Sequence, residues 1–96
     1  MVENVEKSRK VNDMQTRMRR LREALEGLDH GAQTRFAQQI GIGLTTWNAI
    51  ENGKDVSIRV ARAIIARYPG ITLDWIYYGK AEGLTVHMYR LLEDDR

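Results

Sequence analysis

QTRFAQQIGIGLTTWNAIENG, residues 33–53, is the stretch that decides the fold of this chain. Its apolar residues recur at helical spacing on both sides of Gly41, which predicts one helix over about Gln33–Ile40 and another over about Leu44–Glu51. Gly41 suits the tight turn between them because a left-handed backbone conformation costs glycine little. Gly43 is available as the N-cap of the second helix. The segment is therefore expected to form two short helices joined by a glycine turn.

These two helices divide their residues between a core and an outward face. Ala37 lies where the helices must approach closely, so a larger side chain there would push them apart. The residues expected to anchor both helices to the core are Phe36, Ile40, Ile42, Trp47 and Ile50. The residues left pointing outward are Leu44, Thr45, Asn48, Ala49 and Asn52. A short, mostly uncharged helix face held by a tight turn is the outline of a helix-turn-helix that enters the major groove of DNA.

Helical patterns also flank this segment. Asp13 suits the N-cap of a first helix that ends near Gly27 and has its apolar positions at Met14, Met18, Leu21, Leu25 and Leu28. Ser57 suits the N-cap of a fourth helix, which Pro69 ends and whose inward positions are Ile58, Ala61, Ile64, Ile65 and Tyr68. Thr72 can cap a short fifth helix, Leu73–Tyr78. Leu84–Arg96 also has helical spacing and would form a further helix, although its acidic end opposes the helix dipole.

No strand alternation or internal repeat interrupts these patterns, so the predicted fold is all-α. It would be a compact five-helix bundle containing the helix-turn-helix, with the extra C-terminal helix beside it. We divide the chain into a flexible basic N-terminal arm (residues 1–12), a DNA-binding domain (residues 13–83) and a C-terminal segment (residues 84–96). The arm has too few large apolar side chains to offset the entropy of ordering it. It would either add contacts to DNA phosphates or remain a solvated tail.

Charge is distributed unevenly along the chain, although the net charge is only +2. Residues 7–22 carry seven basic side chains against one acid, and residues 31–70 carry five against two. Beyond Gly70 acidic side chains predominate. A polyanion would therefore be attracted to the basic N-terminal part of the chain, which we call the basic front, and repelled by the acidic C-terminal part. Ordinary solvated helix faces would give the same charge pattern, so this asymmetry supports a DNA-binding function without establishing it.

Composition also narrows the cellular compartments in which the protein is expected. The chain has no cysteine, which excludes disulfides and thiolate metal sites and fits the reducing cytoplasm. It contains no apolar run of the roughly 20 residues needed to span a bilayer. The N-terminal sequence MVENVEKSRK has charges where a signal peptide would have its hydrophobic region. We therefore expect a soluble cytoplasmic protein.

The helix-turn-helix segment resembles that of a known family. The residues that carry the resemblance are Gln33, Phe36, Ala37, Gly41, Ile42, Trp47, Ile50, Glu51, Asn52 and Gly53, which look like those of lambda-repressor-like transcription regulators of the Cro and xenobiotic-response-element (XRE) type. YPGITLDWIYYG, residues 68–79, followed by Gly83 and Leu84, resembles an element of a bacterial, phage-repressor-like subgroup. The resemblance covers about residues 14–84 and implies a five-helix DNA-binding core.

The resemblance also implies roles by position. The residues that would face DNA bases are Gly43, Leu44, Thr45, Asn48 and Ala49. Those that would contact phosphates are Gln33, Thr34, Asn52 and Lys54. Two departures weaken direct base reading: Ala32 stands where many relatives have a hydroxyl N-cap, and Gly43 and Leu44 stand where relatives often have Gln or Ser. Leu44 or Ala49 could contact a thymine methyl group and Asn48 could bond adenine, with DNA shape supplying the rest.

Other functional interpretations find less support in the sequence. Trp47 and Trp75 fall on helix faces that must build the core, which argues against a base-stacking platform for single strands. His30 and His87 lie far apart in the sequence, and no ligand cluster, phosphate loop or nucleophile motif is present. We therefore predict no metal, no cofactor, no small-molecule ligand and no enzymatic activity.

The sequence thus predicts a dimeric, sequence-specific double-stranded-DNA-binding regulator of transcription, a repressor, that places helix Leu44–Glu51 in the major groove. One module contacts only half a site, so a homodimer is expected. Its predicted surface comprises Tyr77, Tyr78, Leu84, Met88, Leu91 and Leu92. The alternative is an antitoxin-like or adaptor module that uses the same fold to bind a protein partner. The weak base-reading chemistry of Gly43 and Leu44 and the acidic C-terminal tail favour this alternative.

Overall fold

The structure, a computed structural model, describes residues 13–93. The predicted N-terminal arm and residues 94–96 lie outside this range. Within it the chain forms six α-helices and no strand, in the order α1 (Met14–Glu26), α2 (Ala32–Ile40), α3 (Leu44–Glu51), α4 (Ile58–Arg67), α5 (Leu73–Tyr78) and α6 (Val86–Leu92). The all-α class predicted from the sequence is therefore confirmed. No helix of the described residues is long and apolar enough to cross a membrane.

Side-chain caps begin four of the helices. The carboxylate of Asp13 accepts a hydrogen bond from the Thr16 N–H at the start of α1. A serine or threonine hydroxyl does the same at the start of α4, α5 and α6, from Ser57, Thr72 and Thr85 respectively. These contacts satisfy backbone donors that the first turn of a helix leaves unpaired. The caps predicted at residues 13, 57 and 72 are therefore present.

One hydrophobic core runs through all six helices. Its largest fully buried side chains include Trp47, Trp75 and Phe36. The ring centroids of Phe36 and Trp47 lie 4.6 Å apart, which ties α2 to α3. Met88 and Leu92 of α6 belong to the same core, so the C-terminal helix completes the bundle. The prediction that both tryptophans are core residues is confirmed.

The structure corrects several predicted positions. α2 begins at Ala32, one residue earlier than predicted, and α6 ends at Leu92 and begins only at Val86. Leu28 lies beyond the end of α1 and is 77% exposed. On α4, Ile58 is 47% exposed whereas Val60, which was not predicted as an inward position, is buried.

The predicted dimer surface is also corrected. Met88 and Leu92 are buried in the core of the protein, so they are unavailable to a partner. Their predicted place in a dimer surface is therefore wrong. Leu84 and Leu91 are half-buried against the core.

The turn between α4 and α5 fixes α6 in place. Gly70 accepts a hydrogen bond from the Thr85 N–H through its carbonyl, at 3.2 Å. A Cβ atom at Gly70 would collide with the Thr85 hydroxyl and lie 2.7 Å from Met88 Cγ. Glycine is therefore required here by close packing, since this turn touches the start of α6.

Candidate nucleic-acid interface

α2 and α3 are joined by a tight turn at Gly41. Gly41 has φ 73° and ψ 32°, the left-handed conformation predicted for it. The Ile42 N–H donates to the Ala37 carbonyl at 2.9 Å, and Ile42 is buried. Ala37 is itself almost fully buried. These contacts fix α3 relative to α2, which is the arrangement that the sequence of this segment predicts.

The outward face of α3 carries no charged side chain. Gly43 and Thr45 are exposed and Leu44 is 40% exposed, whereas Asn48 and Ala49 are only half-buried. All five predicted base-facing residues therefore keep some accessible surface. The residues of this face are most exposed at the N-terminal end of α3 and become less exposed toward the middle of the helix.

The amide of Asn48 is oriented with its oxygen inward. Its Oδ1 atom is buried and has no hydrogen-bond partner among the described residues. Bidentate reading of adenine needs both the oxygen and the nitrogen of the amide at the base edge. In this rotamer Asn48 can offer a base only its N–H donors, so the predicted adenine contact requires the amide to rotate.

The four predicted phosphate contacts differ in their surroundings. Thr34 and Lys54 are exposed. Asn52 is also exposed, with its Nδ2 donating to the Asn48 carbonyl at 2.9 Å. Gln33 is half-buried, and its side chain helps to lower the pKa of the Glu51 carboxyl. Gln33 therefore lies near Glu51 in addition to lying at the start of α2.

A buried hydrogen-bond network centres on Glu51, whose role the sequence reasoning missed. Glu51 is 3% exposed, and its carboxylate receives two hydrogen bonds from Arg22, at 2.8 and 2.9 Å. Trp47 Nε1 donates to the same carboxylate at 2.6 Å. Arg22 belongs to α1, whereas Trp47 and Glu51 belong to α3, so this carboxylate joins α1 to α3.

The titration of Glu51 reflects these contacts. Burial alone would raise the pKa of its carboxyl. Hydrogen bonds from Arg22, Gln33 and Trp47 outweigh burial, so the pKa lies below its ordinary value. In Arg22, the hydrogen bond to Glu51 raises the pKa of the guanidinium. Both groups therefore stay charged at neutral pH.

Two helices lack the side-chain caps found in the rest of the fold. α2 and α3 begin after Gly31 and Gly43, which supply no side-chain acceptor. In α3 the first N–H with a backbone acceptor is that of Trp47, which donates to the Gly43 carbonyl. The unbonded N–H groups of the first turn carry partial positive charge that an anion can satisfy. The start of α3 therefore offers backbone donors that no described residue satisfies. At the start of α2 the Ala32 N–H donates to the Asp29 carbonyl at 3.1 Å and the Gly31 N–H to the Asp29 carboxylate at 3.3 Å, so only the later N–H groups of that turn are available.

The basic side chains of α1 have a different role from the one predicted. Arg17 donates to the Ile76 carbonyl, Arg20 donates to the Leu92 carbonyl, and Arg22 binds Glu51. Arg17 and Arg22 are buried. These arginines fasten α1 to α3, α5 and α6, so the prediction that they present a basic front to a polyanion is wrong for Arg17 and Arg22.

The exposed basic side chains without an ion pair lie after α3. Lys54, Arg59 and Arg62 are exposed, and no acidic group of residues 13–93 pairs with them. Arg35 of α2, in contrast, bridges to Asp29 at 2.8 Å and to Glu26 at 3.2 Å.

Arg67, Lys80 and Arg90 are also exposed without an ion pair among residues 13–93. The available positive charge therefore extends from Lys54 to Arg90, and Lys54 and Arg59 follow α3 most closely in the sequence.

Searches against family models, curated proteins and solved structures gave no match for this chain. Over residues 13–93 there is also no group of three or more His, Asp or Glu side chains placed as metal ligands would be.

Proposed function

We propose that this protein is a sequence-specific, double-stranded-DNA-binding regulator of transcription, a repressor, that inserts α3 into the major groove. In this proposal α2, the Gly41 turn and α3 form a lambda-repressor-like helix-turn-helix of the XRE type. The protein acts in the cytoplasm, where bacterial DNA lies, and needs no cofactor and no catalytic step. The sequence resemblance and the arrangement of α2 and α3 support this interpretation.

One observation carries the proposal: the two helices assigned to the helix-turn-helix begin without side-chain caps beside an exposed, uncharged face. Four helices that build the scaffold are capped by Asp, Ser or Thr. A cap contributes about 1 kcal/mol to stability, so leaving two helix starts uncapped costs stability. Backbone N–H groups at such helix starts are suited to DNA phosphates. DNA would satisfy the donors that the protein itself leaves unpaired.

Phosphate contacts would position α3 from both sides. On one side lies the start of α2, with the N–H groups and side chains of Gln33 and Thr34. On the other lie Asn52 and Lys54, followed along the chain by Arg59 and Arg62. Phosphate contacts fix the register of a protein on the duplex but carry no sequence information. The register of the protein on the duplex would therefore be set by phosphate contacts from α2 and from the segment after α3.

Base reading would come from a small set of side chains. Leu44 and Ala49 are apolar and accessible, which suits contact with a thymine methyl group. Asn48 can donate its amide N–H to an acceptor at a base edge. Gly43 and Thr45 lie at the open end of the face and allow the duplex to approach closely. With so few polar groups, much of the selectivity would come from the shape and deformability of the DNA.

A salt titration tests the proposal. Binding of the protein to a fluorescent duplex of random sequence should be measurable at about 20 mM salt and should weaken steeply as salt rises. Release of counterions by Lys54, Arg59 and Arg62 alone predicts a slope of about −3 in log affinity against log salt. Absence of binding at low salt would overturn the proposal and favour the antitoxin-like or adaptor alternative.

A further inference from the structure

The outward face of α3 has no charged side chain to pair with a G·C base pair. Arginine and lysine read guanine, and aspartate and glutamate accept from the amino group of cytosine. None of these four residue types occurs among the base-facing residues Gly43, Leu44, Thr45, Asn48 and Ala49. The side-chain hydrogen-bonding groups of this face are limited to the Thr45 hydroxyl and the Asn48 amide. Recognition through this face therefore depends largely on apolar contact.

Leu44 is the largest side chain of this face and lies at its most exposed end. It is the first residue of α3 and is 40% exposed. Gly43 precedes it without a side chain, and a Cβ atom at Gly43 would have only Thr46 Oγ1 within 4 Å, at 4.0 Å. The space beside Gly43 is therefore open, which leaves room for the edge of a base to reach the exposed part of Leu44.

The apolar group that a base pair presents in the major groove is the C5-methyl group of thymine. Cytosine has a hydrogen atom at the same carbon, whereas 5-methylcytosine has the methyl group. The two methylated bases differ at position 4, where thymine has an acceptor oxygen and cytosine has a donor amino group. A leucine side chain neither donates nor accepts a hydrogen bond, so it cannot distinguish these two groups. It distinguishes only a base with the methyl group from a base without it.

We propose that Leu44 reads the C5-methyl group itself, so that 5-methylcytosine can replace thymine at the position it contacts. This proposal rests on the proposed function, because it requires α3 to lie in the major groove. Asn48 is four residues further along α3, about 6 Å at the helical rise, whereas base pairs are about 3.4 Å apart. The N–H donors of Asn48 would therefore meet a different base pair. Methylation of a cytosine at the Leu44 position would then strengthen binding.

Duplexes with altered bases test this proposal. Selection from a random pool identifies the preferred motif, which is then prepared with uracil in place of one thymine at a time, because uracil is thymine without its methyl group. At the Leu44 position uracil should weaken binding about fourfold, as expected for the loss of one buried apolar carbon. A 5-methylcytosine–guanine pair there should bind about fourfold more tightly than a cytosine–guanine pair. Fluorescence anisotropy at one salt concentration measures both differences.

Leu44→Ala identifies the position that Leu44 reads. In this variant one thymine of the motif should become insensitive to replacement by uracil, and the gain from 5-methylcytosine should disappear at that position. Leu73→Ala is the matched control, because Leu73 is also the first residue of its helix, α5, and is 38% exposed. The control should retain both effects at their wild-type size. Circular dichroism checks that both variants are folded.

The outcomes separate this proposal from the proposed function. Equal affinity for thymine and uracil at every position would overturn the reading of the methyl group, as would a motif without thymine. A uracil effect that Leu44→Ala leaves unchanged would also overturn it, because another side chain would then read the methyl group. In each of these cases steeply salt-dependent binding to duplex DNA would leave the proposed function intact. Absence of duplex binding at low salt would overturn both.

Discussion

Glu51 sets the orientation of α3 through a single buried carboxylate. Its hydrogen bonds from Arg22 and Trp47 join α1 and α3 at one point. A buried ion pair adds little net stability compared with an apolar pair of the same shape, yet removing one partner leaves an uncompensated charge. The pair therefore fixes geometry more than it adds stability.

Substitution of either partner of the pair should be costly. We expect Glu51→Ala to lower the free energy of unfolding by about 3 kcal/mol, because it leaves the Arg22 guanidinium buried without its carboxylate. Arg22→Ala should have a similar effect. The double variant should lose clearly less than the sum of the two, which urea denaturation measures. Additive losses would show that the two side chains are not energetically coupled.

The same carboxylate makes stability depend on pH. An acid whose pKa is lowered by folding stabilises the protein fully above its unfolded pKa, and this contribution is lost as pH falls through the folded pKa. Glu51 behaves in this way, and hydrogen bonds from Arg35 lower the pKa of Asp29 to about 2. We expect the urea midpoint to fall below about pH 4.5, where these acids begin to bind protons when unfolded.

Glu51→Gln isolates the contribution of residue 51 to this loss. The variant cannot titrate at that position, so its urea midpoint should decline less between about pH 4.5 and 3 than that of the wild type. Parallel curves for the two proteins would mean that Glu51 does not cause the acid sensitivity. Its neutral-pH stability provides the baseline for the comparison.

Asn48 and Lys54 should have different effects on DNA recognition. Asn48→Ala should relax base preference at one position while leaving stability nearly unchanged, because Asn48 Oδ1 has no partner to lose. Lys54→Ala should weaken binding almost equally on all sequences and reduce the salt slope by about 1. Competition between duplexes of different sequence measures both effects. The reverse pattern would exchange the roles assigned to these residues.

At the scale of the element, substitutions at the start of α3 should distinguish effects on stability from effects on DNA binding. Gly43 has φ −64° and ψ 147°, a backbone conformation open to any residue, and a Cβ there would approach only Thr46 Oγ1, at 4.0 Å. Both Asp and Asn are good N-caps, so Gly43→Asp and Gly43→Asn should fold at least as stably as the wild type.

Gly43→Asn should weaken DNA binding moderately, because its side chain occupies the backbone donors of α3, whereas Gly43→Asp should abolish it. Its negative charge would lie among the phosphates that flank the groove, whereas Gly43→Asn has the same shape without the charge. Fluorescence anisotropy at about 50 mM salt compares the two variants directly. Equal affinities would mean that the start of α3 does not lie against DNA.

The helices themselves were largely predictable because cap residues and a turn glycine mark their boundaries in the sequence. Asp13, Ser57 and Thr72 cap helices where the sequence indicates, and Gly41 turns the chain as its position requires. α4 shows where such reasoning fails. Its core stripe passes through Val60, Ala61, Ile64 and Tyr68, and at 3.6 residues per turn Ile58 lies more than a quarter turn from the centre of that stripe.

The buried charge could not be read from residue types alone. Glu51 follows Trp47 by four residues and Ile50 by one, so it shares the buried side of α3. That position is a signal, but its partner Arg22 is 29 residues away in sequence. Only the packing of α1 on α3 brings them together. For the same reason, the sequence predicts Arg17 and Arg22 at the surface, whereas both are buried in the fold.

At the scale of the whole molecule, α1 and α6 close the bundle behind α2 and α3. Backbone carbonyls at the ends of α5 and α6 accept hydrogen bonds from Arg17 and Arg20 of α1. Two copies related by a two-fold axis would read half-sites about 34 Å apart along the duplex.

Selection of duplexes from a random pool tests the central claim, that α3 reads DNA, most directly. We expect the wild-type protein to enrich one motif, Gly43→Asn to recover fewer duplexes of the same motif, and Gly43→Asp to recover none. Binding as a two-fold dimer would make the motif an inverted repeat with half-site centres about 10 base pairs apart. A recovered pool indistinguishable from the starting pool would contradict the account.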